Sequence, residues 1–214
     1  PLGVRAPEPL KFAAPLPNGI AYITASRPNE VVVQTDRRST FKARDTVALF
    51  AHKTAVVAVT PGSFVHYAVD RRRSSKASHK PLTAVRAFNE FVVTLTATPT
   101  RLFYGVFVVG KDVRQLFEVV LETKSTATPF FSLVTINEKP FAVIAQDGKA
   151  FFLAVTTNAA VFSCAVPRDA VCHAAVFGMV VVLLGAQTST VVDPLAKQVV
   201  AVCAGTSISC LSAG

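Results

Sequence analysis

The sequence predicts an all-β fold built from about five repeated units of up to four short strands. Three observations carry this. Apolar runs separated by turns recur in units that begin near Phe12, Leu49, Val85, Leu133 and Ala175, at spacings of 37, 36, 48 and 42 residues. Repetition at that period marks stacked or radial β-repeats. Hydrophobic residues make up 51% of the 214, and Val, Ala and Phe dominate them. Val and Phe pack well on a pleated surface. Finally, no segment sustains an apolar period of 3.6, and one Met with no Trp is poor material for a helical bundle.

The units follow in order. The first reads Leu10–Pro15, Ile20–Ala25, a turn at Ser26-Arg27-Pro28-Asn29, Val31–Thr35 and a short Thr40–Ala43. Pro presets φ and Asn tolerates left-handed backbone, so this turn has a mechanism. The second has Val47–Ala51, Ala55–Thr60, the turn dipeptide Pro61-Gly62, Phe64–Val69 and then a charged run from Asp70 to Lys80, read as a loop. The third has Leu82–Phe88, Phe91–Ala97, Leu102–Val109 and Val113–Leu121. In the fourth, Phe130–Ile136, Phe141–Ala145, Ala150–Thr156 and Ala160–Val166 are joined by short turns, and Asp147-Gly148 is a strong hairpin signal. The fifth has Val171–Phe177, Val180–Gly185, Thr190–Val192 with a turn at Asp193-Pro194, and Gln198–Cys203. Nearly continuous apolar runs of this length suit strands buried on both faces.

Units Phe130–Val166 and Val171–Cys203 each hold four strands and an Asp-Gly or Asp-Pro turn. In this the chain resembles β-propeller repeat domains, WD40-like in architecture. It lacks the Gly-His and Trp-Asp pairs that WD40 repeats usually carry, since it has no Trp. The resemblance implies one β-propeller domain over residues 1–214, with blades near 10–44, 45–80, 81–124, 128–168 and 170–205. Thr206–Leu211 reads as the start of a further strand. It could close the ring with the N-terminal strand or begin another blade. Closure matters because an unpaired edge strand invites aggregation.

Charge is lopsided. Residues 1–100 hold 14 Lys and Arg against 6 Asp and Glu, whereas residues 101–214 hold 8 against 7. A basic half points to an acidic protein surface or RNA as partner. Cys164, Cys172, Cys203 and Cys210 match no zinc spacing, and each sits in an apolar run, so buried reduced thiols and a reducing, cytoplasmic compartment are expected. The opening residues show no signal-peptide pattern. Ala170–Ala186 is uncharged but short for a membrane span and interrupted by Gly178 and Gly185, so two buried strands joined at Phe177–Gly178 are expected there.

The most distinctive local feature is Asp70-Arg-Arg-Arg-Ser-Ser-Lys-Ala-Ser-His-Lys80. Arg71, Arg72, Arg73, Lys76 and Lys80, together with Arg37 and Arg38, form a candidate anion- or partner-binding set, to which Lys42 and Arg44 could add. Guanidinium groups bind phosphates and carboxylates in bidentate fashion. Ser74 and Ser75 follow arginines as candidate phosphorylation sites, where added charge would cancel the local positive field. Only Phe41, Phe64 and Tyr67 lie near these charges, a weak signal for base stacking. The histidines are scattered, and Cys172 and His173 point to opposite faces of a strand. Carboxylates are single, and no glycine-rich phosphate loop occurs. No catalytic, metal or cofactor site is therefore expected. The expected role is a non-enzymatic scaffold that binds other protein subunits within a larger assembly. The alternative is a basic RNA- or nucleoprotein-associated subunit, ribosome-linked or capsid-like.

Overall fold

The computed structural model describes residues 8–157, 162–168 and 171–205. Among them there is no helix, and the strands form five four-stranded antiparallel sheets. The first sheet is β1 (Leu10–Leu16), β2 (Gly19–Thr24), β3 (Glu30–Gln34) and β4 (Arg38–Lys42). The second is β5 (Ala48–His52), β6 (Ala55–Thr60), β7 (Ser63–Ala68) and β8 (Arg73–Ser78). The third is β9 (Ala84–Phe88), β10 (Phe91–Ala97), β11 (Arg101–Val109) and β12 (Val113–Glu122). The fourth is β13 (Phe130–Ile136), β14 (Lys139–Gln146), β15 (Lys149–Ala154) and β16 (Phe162–Ala165). The fifth is β17 (His173–Phe177), β18 (Val180–Leu184), β19 (Thr188–Asp193) and β20 (Gln198–Ala204). Each sheet is a meander in chain order, so its strands pair with their sequence neighbours.

The chain divides into two compact units. Pro1–Val92 with Val106–Leu116 forms one, and Val93–Gly105 with Phe117–Gly214 forms the other. In the first unit β6 explains why the apolar runs are continuous. Every residue of Ala55–Thr60 is buried. Val56 and Ala58 join a core with Ile23, Val31, Val33 and Phe41 from the first sheet. Val57 and Val59 join a second core with Phe64, Phe107 and Val109. Alternate residues of one strand thus serve two different cores, which leaves no polar face. The second unit has a core of the same kind, with Val143, Ala145 and Phe152 packed with Val181, Leu183 and Val192.

Two hairpins of the second unit show the turn chemistry. Ile136 pairs with Lys139 and Gln146 pairs with Lys149, so each loop has two residues. Both residues of each loop have positive φ: 47° and 62° at Asn137 and Glu138, 46° and 77° at Asp147 and Gly148. That is the type I′ geometry, whose twist matches the flanking strands. Asp193 forms the turn expected of it, its Oδ1 accepting from the backbone N–H groups of Leu195 and Ala196.

Three expectations are corrected. The charged run is no loop: Arg73–Ser78 is β8, paired in register with β7 from Ala68↔Arg73 to Ser63↔Ser78. It is an outer strand, exposed at every residue except the half-buried Ala77, so its backbone is satisfied on one side without any demand for apolar side chains. Lys and Arg there also blunt an open sheet edge. Burial on both faces is therefore a property of inner strands only. The thiols are not buried either: Cys172 is exposed, and Cys164 and Cys203 are half-buried on the outer strands β16 and β20. Their apolar neighbours are those of an edge, where a side chain meets protein on one side and water on the other. Cys210 and the strand expected at Thr206–Leu211 lie outside the described residues. The Ala170–Ala186 stretch contains β17 and β18, joined at Phe177-Gly178 as expected, but only β18 is buried at its centre, while β17 is half-buried with exposed ends. No helix of the described residues is long and apolar enough to cross a membrane.

Candidate functional site

Antiparallel meanders place the first and third turns of a sheet at one end and the second turn at the other. In the first unit this sorts the basic residues. Arg37 lies in the β3–β4 turn and Arg38 opens β4. Arg71 and Arg72 lie in the β7–β8 turn, Arg72 at a φ of 51°, and Arg73 opens β8. All five are exposed. Thr35 and Asp36 of the β3–β4 turn, with Val69 and Asp70 of the β7–β8 turn, line one depression of about 190 Å³. The two arginine groups therefore flank a common hollow. Beside it, Lys53, Arg71 and Lys111 line a larger cleft of about 410 Å³, together with His52, Asp70 and Glu90. Arg71 is 3.9 Å from Asp70, an exposed contact that contributes little to stability.

Lys76 and Lys80 do not belong to this end. Pairing along β7 carries β8 away from the arginine turn, so Lys76 sits opposite Val65 and Lys80 lies beyond the strand's far end. There a groove of about 570 Å³ runs between the first two sheets, lined by Lys42, Arg44, Asp45, Thr60, Ser63, Ser74, Ser75 and Lys76, among others. The residues read from the sequence as one set thus occupy two ends of the unit. The two serines also part company. Ser74 pairs with Tyr67 and shares its face, while Ser75 pairs with His66. The Ser75 hydroxyl is 3.4 Å from His66 Nδ1.

His66 is the residue that sequence reasoning passed over. It is 2% exposed, and its Nε2 lies 3.1 Å from the carbonyl of Gly110. In that arrangement Nε2–H donates to the carbonyl and Nδ1 accepts from the Ser75 hydroxyl. Burial pushes its pKa below the ordinary 6.5, opposed by the Gly110 bond and by Asp112 and Asp70. It ties β7 to β8 and to the β11–β12 turn. A lone histidine in a run of Phe and Tyr carries no sequence signal of such a link, because its partner is 44 residues away.

Among the described residues no three His, Cys, Asp or Glu side chains gather as a metal site. In the second unit, Gln146 fastens the Thr123–Ala127 connection: it accepts from the Thr123 hydroxyl at 2.9 Å and donates to the Ala127 carbonyl. Tyr104 is buried, its hydroxyl 3.5 Å from the Ala154 carbonyl, and burial raises its pKa well above the usual phenolic range.

No protein-family model matches the chain, and no curated protein matches it. Its fold does match solved structures. The computationally designed Ika8 protein is 17% identical with a TM-score of 0.61, over 90% of this chain and 61% of that one. The WD40 domain of SCAP from fission yeast is 10% identical with a TM-score of 0.61, over 95% of this chain and 57% of that one. A chain of the Mitotic Checkpoint Complex is 10% identical with a TM-score of 0.57, over 92% and 64%. The chain thus spans about three fifths of the length of these relatives. WD40 repeats are four-stranded propeller blades. Five four-stranded antiparallel meanders, together with this likeness, make the fold that of a β-propeller without the WD signature.

Proposed function

We propose that this chain is a non-enzymatic interaction module that holds protein partners within a larger assembly. Its acidic partner docks on the arginine turns of the first unit. The observation that carries this reading is that the two turns bearing Arg37 and Arg71–Arg72, with Arg38 and Arg73 opening the strands that follow, both contribute residues to one hollow. Turns held by packed sheets are where recognition residues concentrate, since the scaffold fixes them at little ordering cost. Exposed arginines offer bidentate contacts to carboxylates, and their summed field steers an acidic surface into encounter. That a similar fold serves in the Mitotic Checkpoint Complex supports an assembly role.

The test is capture from nuclease-treated lysate, comparing the native chain with one in which these five arginines are glutamine. The reading expects protein partners that survive nuclease, weaken with salt and disappear with the variant. Capture abolished by nuclease, with a steep salt dependence, would instead establish the RNA-associated reading.

A further inference from the structure

We propose that the groove between β4 and β8 binds a phosphate monoester, a site separate from the arginine turns. The apolar part of its lining is Ala43, Pro61 and Val65. Phe41 of β4 stacks on Tyr67 of β7, and Val65 packs against the same core. A cavity of about 570 Å³ lies between residues of these two sheets. Lys42 and Arg44 line one side and Lys76 the other, against a single carboxylate, Asp45. None of these three cations makes an ion pair with a described residue. The groove therefore holds surplus positive charge that the protein itself does not neutralise.

The rest of the lining supplies hydroxyls. Ser74 shares the Tyr67 face of β8 and so opens onto the groove. At one end, the Thr60 hydroxyl donates to the Ser63 carbonyl at 2.9 Å and accepts from the Ser63 backbone N–H, and the two hydroxyls lie 2.8 Å apart. That locks the end of the groove in place. A compact dianion with several acceptor oxygens matches such a lining: cations from two walls and a hydroxyl donor on the same strand as Lys76. A phosphodiester carries one charge and a bulky second ester, which suits this recess less well. An unmodified acidic side chain offers two oxygens and one charge.

The probes are inorganic phosphate, a phosphoserine peptide, the same peptide with glutamate, and a short oligonucleotide. Backbone amide resonances of residues 42–45 and 74–76 report binding. Both phosphate probes are expected to shift these resonances, the phosphopeptide at lower concentration, and glutamate should bind about tenfold more weakly or not at all. If inorganic phosphate alone binds and the phosphopeptide does not, the groove does not take a monoester and the proposal fails. Lys76→Gln and Arg44→Gln should each weaken binding about tenfold, while Lys139→Gln, on the second unit, should not. Unmoved resonances, or binding that the two groove variants leave intact, would overturn the proposal, as would a preference for the oligonucleotide. The five-arginine variant keeps this groove, so failure here and failure of the partner face remain distinguishable.

Discussion

The ring of Phe41 lies flat on that of Tyr67, with centroids 4.9 Å apart and planes 7° from parallel. The pair joins the first sheet to the second within one core. Both rings are nearly buried, at 7% and 4%. Phe41→Ala should cost about 3–5 kcal/mol in denaturant unfolding, from lost transfer energy and a cavity. Phe41→Leu keeps apolar contact but loses the stacked geometry, so about 1 kcal/mol is expected. A Phe41→Leu variant as stable as the native chain would show that the stacking geometry adds nothing.

His66 makes stability depend on pH. Its pKa is depressed in the fold, chiefly by burial, so below 6.5 the unfolded chain takes up a proton more readily than the native one. Its burden is absent well above 6.5 and grows as pH falls through that value and toward the lower native one. Melting temperatures from about pH 8 to about pH 5 should fall more steeply for the native chain than for His66→Gln. Asp70 and Asp112 reduce this difference, since both favour the charged ring. Parallel profiles would refute the assignment.

Gly19 has no room for a side chain. A Cβ there would stand 2.0 Å from the Gln34 carbonyl oxygen, across the β2–β3 pair. Gly19→Ala must push backbone against backbone, and a loss of about 1–3 kcal/mol is expected. Gly62 is the control, with nothing within 4 Å of its Cβ position. Gly62→Ala should stay within about 0.5 kcal/mol of the native chain. Thermal or urea unfolding of the two variants separates them directly.

Cysteine reactivity should follow exposure rather than sequence setting. Cys172 is exposed, whereas the half-buried Cys164 has its thiol pKa raised by burial. Because the thiolate is the nucleophile, iodoacetamide at about pH 8 should modify Cys172 well before Cys164. Site-resolved mass spectrometry reads this, and equal rates would contradict the structure.

Sheet number and strand order were legible because the patterns that encode them are local. An apolar run of strand length bounded by Pro-Gly, Asn-Glu or Asp-Gly announces a meander, and the five meanders stand where the runs do. The outer strand β8 escaped notice because an edge asks only for backbone pairing on one side. Arg-Ser-Ser-Lys-Ala-Ser can meet that demand as well as valine can, so hydrophobicity does not mark it. The same reasoning explains the cysteines: apolar neighbours show that a strand forms, not that its side chains are covered.

By itself, then, the sequence determined an all-β chain of five repeats with a basic first half, since composition, period and turn residues act between near neighbours. Tertiary structure alone decided that Arg37 and Arg71 flank one hollow while Lys76 belongs to another groove. It also decided that His66 reaches Gly110. Those relationships depend on which turns fall at the same end of adjacent sheets, and packing between segments far apart in the chain sets that.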